Sequence, residues 1–391
     1  MFNKVYISDR VFWIGVNDRR KRLFENIWPL PEGVSYNSYI IVDEKTALID
    51  TVDVTAGKCF LDTVDKYLAG KTLDYLVINH IEPDHSGEIA GILKKYPEVK
   101  ILGNAATKRI FEACFGATSN FEDVGKGAVV KLGHHELSFV MTPWVHWPET
   151  MMTVDLTEKI VFSGDAFGTF GTLNGGIFDD EVNFEFYRDE ALRYYSNIVG
   201  KYSNMVQKAI AKLAGTEIRC ICPTHGPVWR KDPQKIIDLY NKWSRYEAED
   251  GLLIIYASMY GNTEMMADYI ARKVAEKGVR NIRIYDVSKT HISYLIREAW
   301  KYRNIFLGSC AYNTGMFPLI DHLCCELEHL GLQNRRLGIF GSFSWNGGGV
   351  KNLVKFAENI KWELIAEPVE IKGIPSDEDF RKCDALAEAL V

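Results

Sequence analysis

The tightest constraint on this chain is a cluster of donor side chains at the end of a short apolar run. Leu73–Ile78 leads into Asn79-His80-Ile81-Glu82-Pro83-Asp84-His85-Ser86-Gly87, which puts four potential metal donors within six residues. On a loop braced by Pro83 and released by Gly87, these side chains can converge from a strand end onto a small volume. Alternation along extended backbone puts His80, Glu82 and Asp84 on one side and His85 on the other, so one loop can serve two metals. Any one of these residues has an ordinary structural explanation. The complete string does not.

The string resembles the H-x-[HE]-x-D-H signature of the metallo-β-lactamase-like fold, and that resemblance implies further ligands downstream. His146 stands in Thr142-Pro143-Trp144-Val145-His146-Trp147-Pro148-Glu149-Thr150, Asp165 ends Ile160–Asp165, and His225 lies in Pro223-Thr224-His225-Gly226-Pro227. Zinc enzymes of this fold usually have His where Glu82 stands. Exchanging a neutral nitrogen donor for an anionic oxygen hardens the site, favouring iron or manganese and redox chemistry over hydrolysis. Asp165, with two oxygens, is the natural bridge, leaving His80, Glu82 and His146 for one ion and Asp84, His85 and His225 for the other. His134, His135, His291, His322 and His329 are read as structural or solvent-exposed.

Residues 1–250 mix hairpins and crossovers. Ser38–Val42 with Thr46–Ile49, and Ala128–Leu132 with Leu137–Met141, form predicted hairpins, and Ala56–Leu68 and Glu88–Lys95 form predicted helices. Mixed hairpins and crossovers suggest sheets covered by helices, and the resemblance implies a metallo-β-lactamase-like αββα sandwich. From 251 to 391 strands and helices alternate regularly, as a parallel doubly wound sheet requires. The strands are Leu252–Ala257, Ile282–Val287, Asn304–Gly308, Arg336–Gly341 and Glu363–Ile371. The helices are Glu264–Lys277, Ser293–Lys301, Pro318–Leu330, Gly349–Asn359 and Asp377–Leu390. This is a flavodoxin-like α/β pattern, joined to the first domain by a helical connection within Val228–Asp250.

The first strand of the second domain ends in Ser258-Met259-Tyr260-Gly261-Asn262-Thr263 and leads into a helix. A helix start presents unpaired N–H groups and a positive dipole end to a phosphate, and the Ser258 and Thr263 hydroxyls and the Asn262 amide add donors. Two more loops follow the third and fourth strands: Ser309-Cys310-Ala311-Tyr312-Asn313-Thr314-Gly315 and Ser342-Phe343-Ser344-Trp345-Asn346-Gly347-Gly348. In such sheets ligands bind outside the carboxyl ends of the strands, where the strand order reverses, and all three loops meet there. Trp345 or Tyr312 can stack on a flat ring. The pattern resembles the flavin mononucleotide (FMN) site of flavodoxins.

Together the two halves resemble the flavodiiron proteins, also called A-type flavoproteins, over essentially the whole chain. That resemblance implies two non-haem irons, FMN, and reduction of dioxygen to water, of nitric oxide to nitrous oxide, or both. It also implies a head-to-tail homodimer. Reduced flavin and a diferrous pair hold two electrons each, enough to take dioxygen to two waters; nitric oxide coupling needs two. Cys310 departs from the family text, which has Pro there. With the chain ending at Val391, electrons are expected from a separate donor such as rubredoxin or a reduced deazaflavin. The alternatives are a binuclear metallohydrolase with a regulatory flavodoxin domain, or an electron carrier with a vestigial metal site.

Composition narrows the partners. A net charge of −6 without a Lys/Arg block argues against nucleic acid. No apolar run approaches the ~20 residues of a membrane span, and the N-terminus does not read as a signal peptide. Eight scattered cysteines with no C-x-x-C pair fit a reducing, cytoplasmic compartment.

Overall fold

A computed structural model describes residues 4–125 and 127–390; residues 1–3, 126 and 391, which include both ends of the expected domain spans, lie outside it. The chain divides into two units, Met1–Ser244 and Arg245–Val391, with the break at the end of the helix Pro233–Ser244, a few residues before the expected 250/251 boundary; the strand expected at Leu252 begins at Glu249.

The first unit contains a seven-stranded and a five-stranded sheet. Alternate residues from both form one shared core: Tyr39 and Ile41, Ala47 and Ile49, and Tyr75 and Val77 from one sheet meet Leu137 and Phe139, Ile160 and Phe162, and Cys220 and Cys222 from the other. This period of two is what buries one face of each sheet against its partner. Both predicted hairpins form, Tyr39–Val42 with Thr46–Ile49 and Val129–Lys131 with Glu136–Met141. The helix Gly57–Leu68, with Phe60, Val64, Tyr67 and Leu68 buried, packs on the strand Tyr39–Val42. The connecting helix within Val228–Asp250 spans Pro233–Ser244.

In the second unit the parallel strands run in the spatial order Ile282–Asp286, Glu249–Ala257, Tyr302–Cys310, Arg336–Phe343, with two short strands on the last. This is the flavodoxin order, with its reversal beside the first strand. The predicted strand Glu363–Ile371 divides into Glu363–Leu364 and Val369–Lys372, both paired with Arg336–Phe343. Pro368 lies in the gap; it has no N–H for the ladder and restricts Glu367 before it. Among the described residues no helix is long and apolar enough to cross a membrane.

Candidate metal centre and flavin cleft

In the first unit strand ends deliver donors to one place. His80 follows the strand Tyr75–Val77, Asp165 follows Ile160–Gly164, His225 follows Cys220–Pro223, and His146 lies in the loop before Met151–Asp155. Pro83–Ser86 is a helical turn, with Pro83 at its first position and Glu82 just before it. This corrects the alternation expected along an extended loop. The turn groups Asp84 with His85, away from His80 and Glu82.

Two buried groups result, His80, Glu82, His146 and Asp165, and Asp84, His85 and His225, with the ligand atoms of each group within 4.8 Å of one another. His146 Nε2 lies 3.1 Å from both Glu82 Oε2 and Asp165 Oδ2, and His80 Nε2 lies 3.1 Å from Glu82 Oε2. Asp165 faces both groups: its Oδ1 is 2.9 Å from His85 Nε2 and 3.6 Å from His225 Nε2.

Residues outside the expected set orient these donors. His80 Nδ1 donates to Glu149 Oε1 at 2.7 Å, and His225 Nδ1 donates to the Ser35 carbonyl at 2.8 Å, so each imidazole turns its Nε2 lone pair to the centre. Thr224 donates to Asp165 Oδ1 at 2.5 Å. Asp50 accepts from the Asn79 N–H at 2.8 Å and from the His80 N–H at 3.3 Å, and burial pushes its carboxyl up to about 6. Glu149 stood in the quoted sequence beside His146, and its carboxylate was the one available signal; Ser35 and Asp50 carry none.

The electrostatics describe a cluster that wants positive charge. Burial works against ionised Glu82, but hydrogen bonds from His146 and His80 outweigh it and hold its carboxyl well below the usual range. Burial also disfavours charged His85 and His146, yet neighbouring carboxylates raise both to about 9: Asp84 and Asp165 for His85, Asp165 and Glu82 for His146. Both Asp84 oxygens are buried without a hydrogen-bond partner, and His85 Nε2 faces His225 Nε2 at 3.1 Å. Buried carboxylate oxygens without hydrogen bonds, crowded 3.3 Å from imidazole nitrogens that are themselves turned on one another, are costly unless a cation lies among them. The donor set therefore fits two hard, divalent or trivalent ions.

Of the other histidines, His135 is buried with Nδ1 2.7 Å from Asp155 Oδ2, His134 lies beside Glu158, and His291 caps a helix by accepting from the Ser293 N–H.

In the second unit the three predicted loops line one cleft, through Ser258–Tyr260, Asn262, residues 310–314 and residues 342–346. Gly261, Thr263, Ser309, Gly315, Gly347 and Gly348, also expected at the site, lie in the same three loops but not in the cleft lining. Thr263 is buried with its hydroxyl 2.8 Å from that of Ser342, and Ser258 Oγ accepts the Gly261 N–H at 3.0 Å. Asn262 opens the helix Asn262–Glu276 after Gly261, whose φ of 92° suits glycine. Gly348, with φ 145°, lets two of the loops touch: a Cβ there would lie 2.0 Å from the Thr314 carbonyl. Tyr260 and Trp345 are 90% and 79% exposed at the rim. A helix start, small residues and open aromatic faces fit a phosphate carrying a flat ring.

The sequence model described as ODP family beta lactamase matches residues 34–226, and that of flavodoxin matches 254–384. A protein named nitric oxide reductase from Moorella thermoacetica is 32% identical, covering all of this chain and 98% of its own length. The anaerobic nitric oxide reductase flavorubredoxin of Vibrio vulnificus is 32% identical over 97% of this chain and 78% of its own length. Rubredoxin oxygen:oxidoreductase from Desulfovibrio gigas superposes with a TM-score of 0.94 at 28% identity, over 99% of this chain and 98% of that one. A flavo di-iron protein from Thermotoga maritima superposes with a TM-score of 0.91 at 27% identity, over 99% and 97%.

Proposed function

Because the chain belongs to the flavodiiron protein family, we propose that it is an oxidoreductase that reduces nitric oxide to nitrous oxide, dioxygen to water, or both, at a di-iron centre recharged by FMN. The observation that carries this reading is the buried donor set with Glu82 where a hydrolytic zinc site favours His. His80, Glu82, His146 and Asp165 would hold one iron, and Asp84, His85 and His225 the other, with Asp165 reaching both. When bound, reduced FMN and two ferrous ions supply two electrons each, the four that dioxygen needs and more than the two for nitric oxide coupling.

The chain's own side chains prepare that chemistry. Glu149 and Ser35 fix which imidazole nitrogen faces the centre. Phe24, Tyr36 and Tyr194 pack around His225 with ring centroids 5.4, 5.8 and 5.5 Å away, an aromatic surround on that side of the centre. The reductases named above support the nitric oxide arm, and the rubredoxin oxygen:oxidoreductase supports the dioxygen arm. A head-to-tail homodimer, a separate donor such as rubredoxin or reduced deazaflavin, and a cytoplasmic setting that suits eight unbridged cysteines belong to the same proposal.

Anaerobic stopped-flow of the fully reduced protein against each gas tests it, alongside metal analysis. The expected result is a yellow protein with about two irons per chain that oxidises rapidly with at least one gas. Zinc with hydrolytic turnover would instead establish the binuclear hydrolase.

A further inference from the structure

The helix Pro318–Leu330 of the second unit carries donor side chains that neither the metal centre nor the flavin cleft uses. Its apolar face, Ile320, Leu323, Cys324 and Leu327, is buried. That burial fixes which side of the helix meets solvent. Successive helical residues turn by about 100°, so positions i, i+3, i+4 and i+7 stand in one stripe, neighbours about 5–6 Å apart at Cβ. Here those positions are His322, Cys325, Glu326 and His329, on the side opposite the buried face. His322, Cys325 and His329 are exposed and Glu326 is half-buried. Two imidazoles, a thiol and a carboxylate therefore share one solvent-facing stripe. His329 Nδ1 already stands 3.9 Å from Glu326 Oε1. The remaining approach needs only changes of rotamer, which exposed side chains make readily.

The surroundings favour a cation. The 13 residues of the helix include Asp321, Glu326 and Glu328 and no Lys or Arg. Burial, and then the carboxylates of Asp321, Glu328 and Glu326, push the Cys325 thiol up, so it gives up its proton more readily when a positive ion takes the proton's place. Nitrogen, sulfur and oxygen donors together suit zinc, whereas magnesium and calcium take oxygen ligands. The stripe is softer than the first unit's centre, which has no sulfur donor.

We propose that His322, Cys325, Glu326 and His329 form a zinc site on the solvent face of this helix, outside the lining of the flavin cleft and independent of the reductase reading above. On binding, the Cys325 S–H bond breaks, a Zn–S bond forms and the proton passes to buffer. No electron moves, and zinc stays divalent. Because the donors span two turns, the ion clips the helix at its surface.

The test adds zinc to iron- and FMN-loaded protein with reduced thiols, and to the same protein carrying His322→Ala and His329→Ala. Both changes fall at exposed helix positions, where alanine is the best helix former, so the double variant should fold and keep its FMN. Competition with a chelating dye should find one zinc site per chain in wild type, weakened in the double variant by at least about tenfold. Iron measured in the same samples identifies any zinc that replaces iron in the first unit, which is common to both proteins. Alkylation mapped by peptide mass spectrometry should slow severalfold at Cys325 when zinc is added to wild type, and that protection should vanish in the double variant. Cys59 and Cys114, exposed thiols on helices of the first unit, should react unchanged. Equal zinc affinity in the two proteins, or alkylation of Cys325 that zinc does not slow, overturns the site. So does magnesium protecting Cys325 as well as zinc. If the double variant loses FMN, Glu326→Gln, which alters one donor at nearly constant size, decides by the same measurements.

Discussion

At the scale of single residues the centre divides into side chains that would grip metal and side chains that aim them. His146 lies 3.1 Å from two carboxylates of its group, so His146→Ala removes a donor and strands those anions in a buried site. Iron content and gas reduction should be lost while the flavin absorbance, which depends on the other unit, persists; full activity in that variant would count against the ligand assignment. Glu149 touches no metal position and acts through His80. Glu149→Gln keeps the size but weakens the hold on the imidazole tautomer, and iron affinity measured by competitive chelation should fall by about 10–100-fold. The donors were legible in the sequence because each stands in a recognisable string after a strand. Ser35, Tyr36 and Asp50 were not, since only the folded chain brings them beside His225 and His80.

At the scale of elements the sequence was read correctly wherever periodicity dominates and misread where one residue overrides it. Both hairpins and the alternating strands and helices of the second unit follow from periods of 2 and 3.6. Pro83 turned an expected extended loop into a helical turn, which sets Asp84 beside His85 as the expected ligand division had it, and Pro368 split an expected strand. Neither effect is periodic, and neither shows in a hydrophobic pattern. The flavin cleft depends on loops that pack against each other, and Gly348 is where that packing is closest. Gly348→Ala places a methyl group 2.0 Å from the Thr314 carbonyl at a φ of 145°, so the two loops must separate. FMN titration by fluorescence quenching should show affinity lowered by at least tenfold, on the order of 1.4 kcal/mol, with iron content unchanged.

At the scale of the molecule, the first unit encloses a charge cluster in its fold and, among the described residues, the second encloses none of comparable density, so pH acts on them unequally. Without metal, His85 and His146 titrate near 9 in the folded state against 6.5 when unfolded. Their folded values are raised, so their contribution to stability is complete below about 6.5 and is lost as pH rises through about 9. Thermal melts of metal-free protein should therefore show the first unit weakening across that window, and the metal-loaded protein should lose this dependence because cations replace the protons. Asp165 adds a further consequence, since each of its oxygens turns to a different donor group. An ion captured by one group fixes the carboxylate that the next ion needs, so loading should be pairwise. Protein given one equivalent of ferrous iron per chain is expected to separate, by native mass spectrometry, into empty and doubly filled molecules, with singly filled ones scarce.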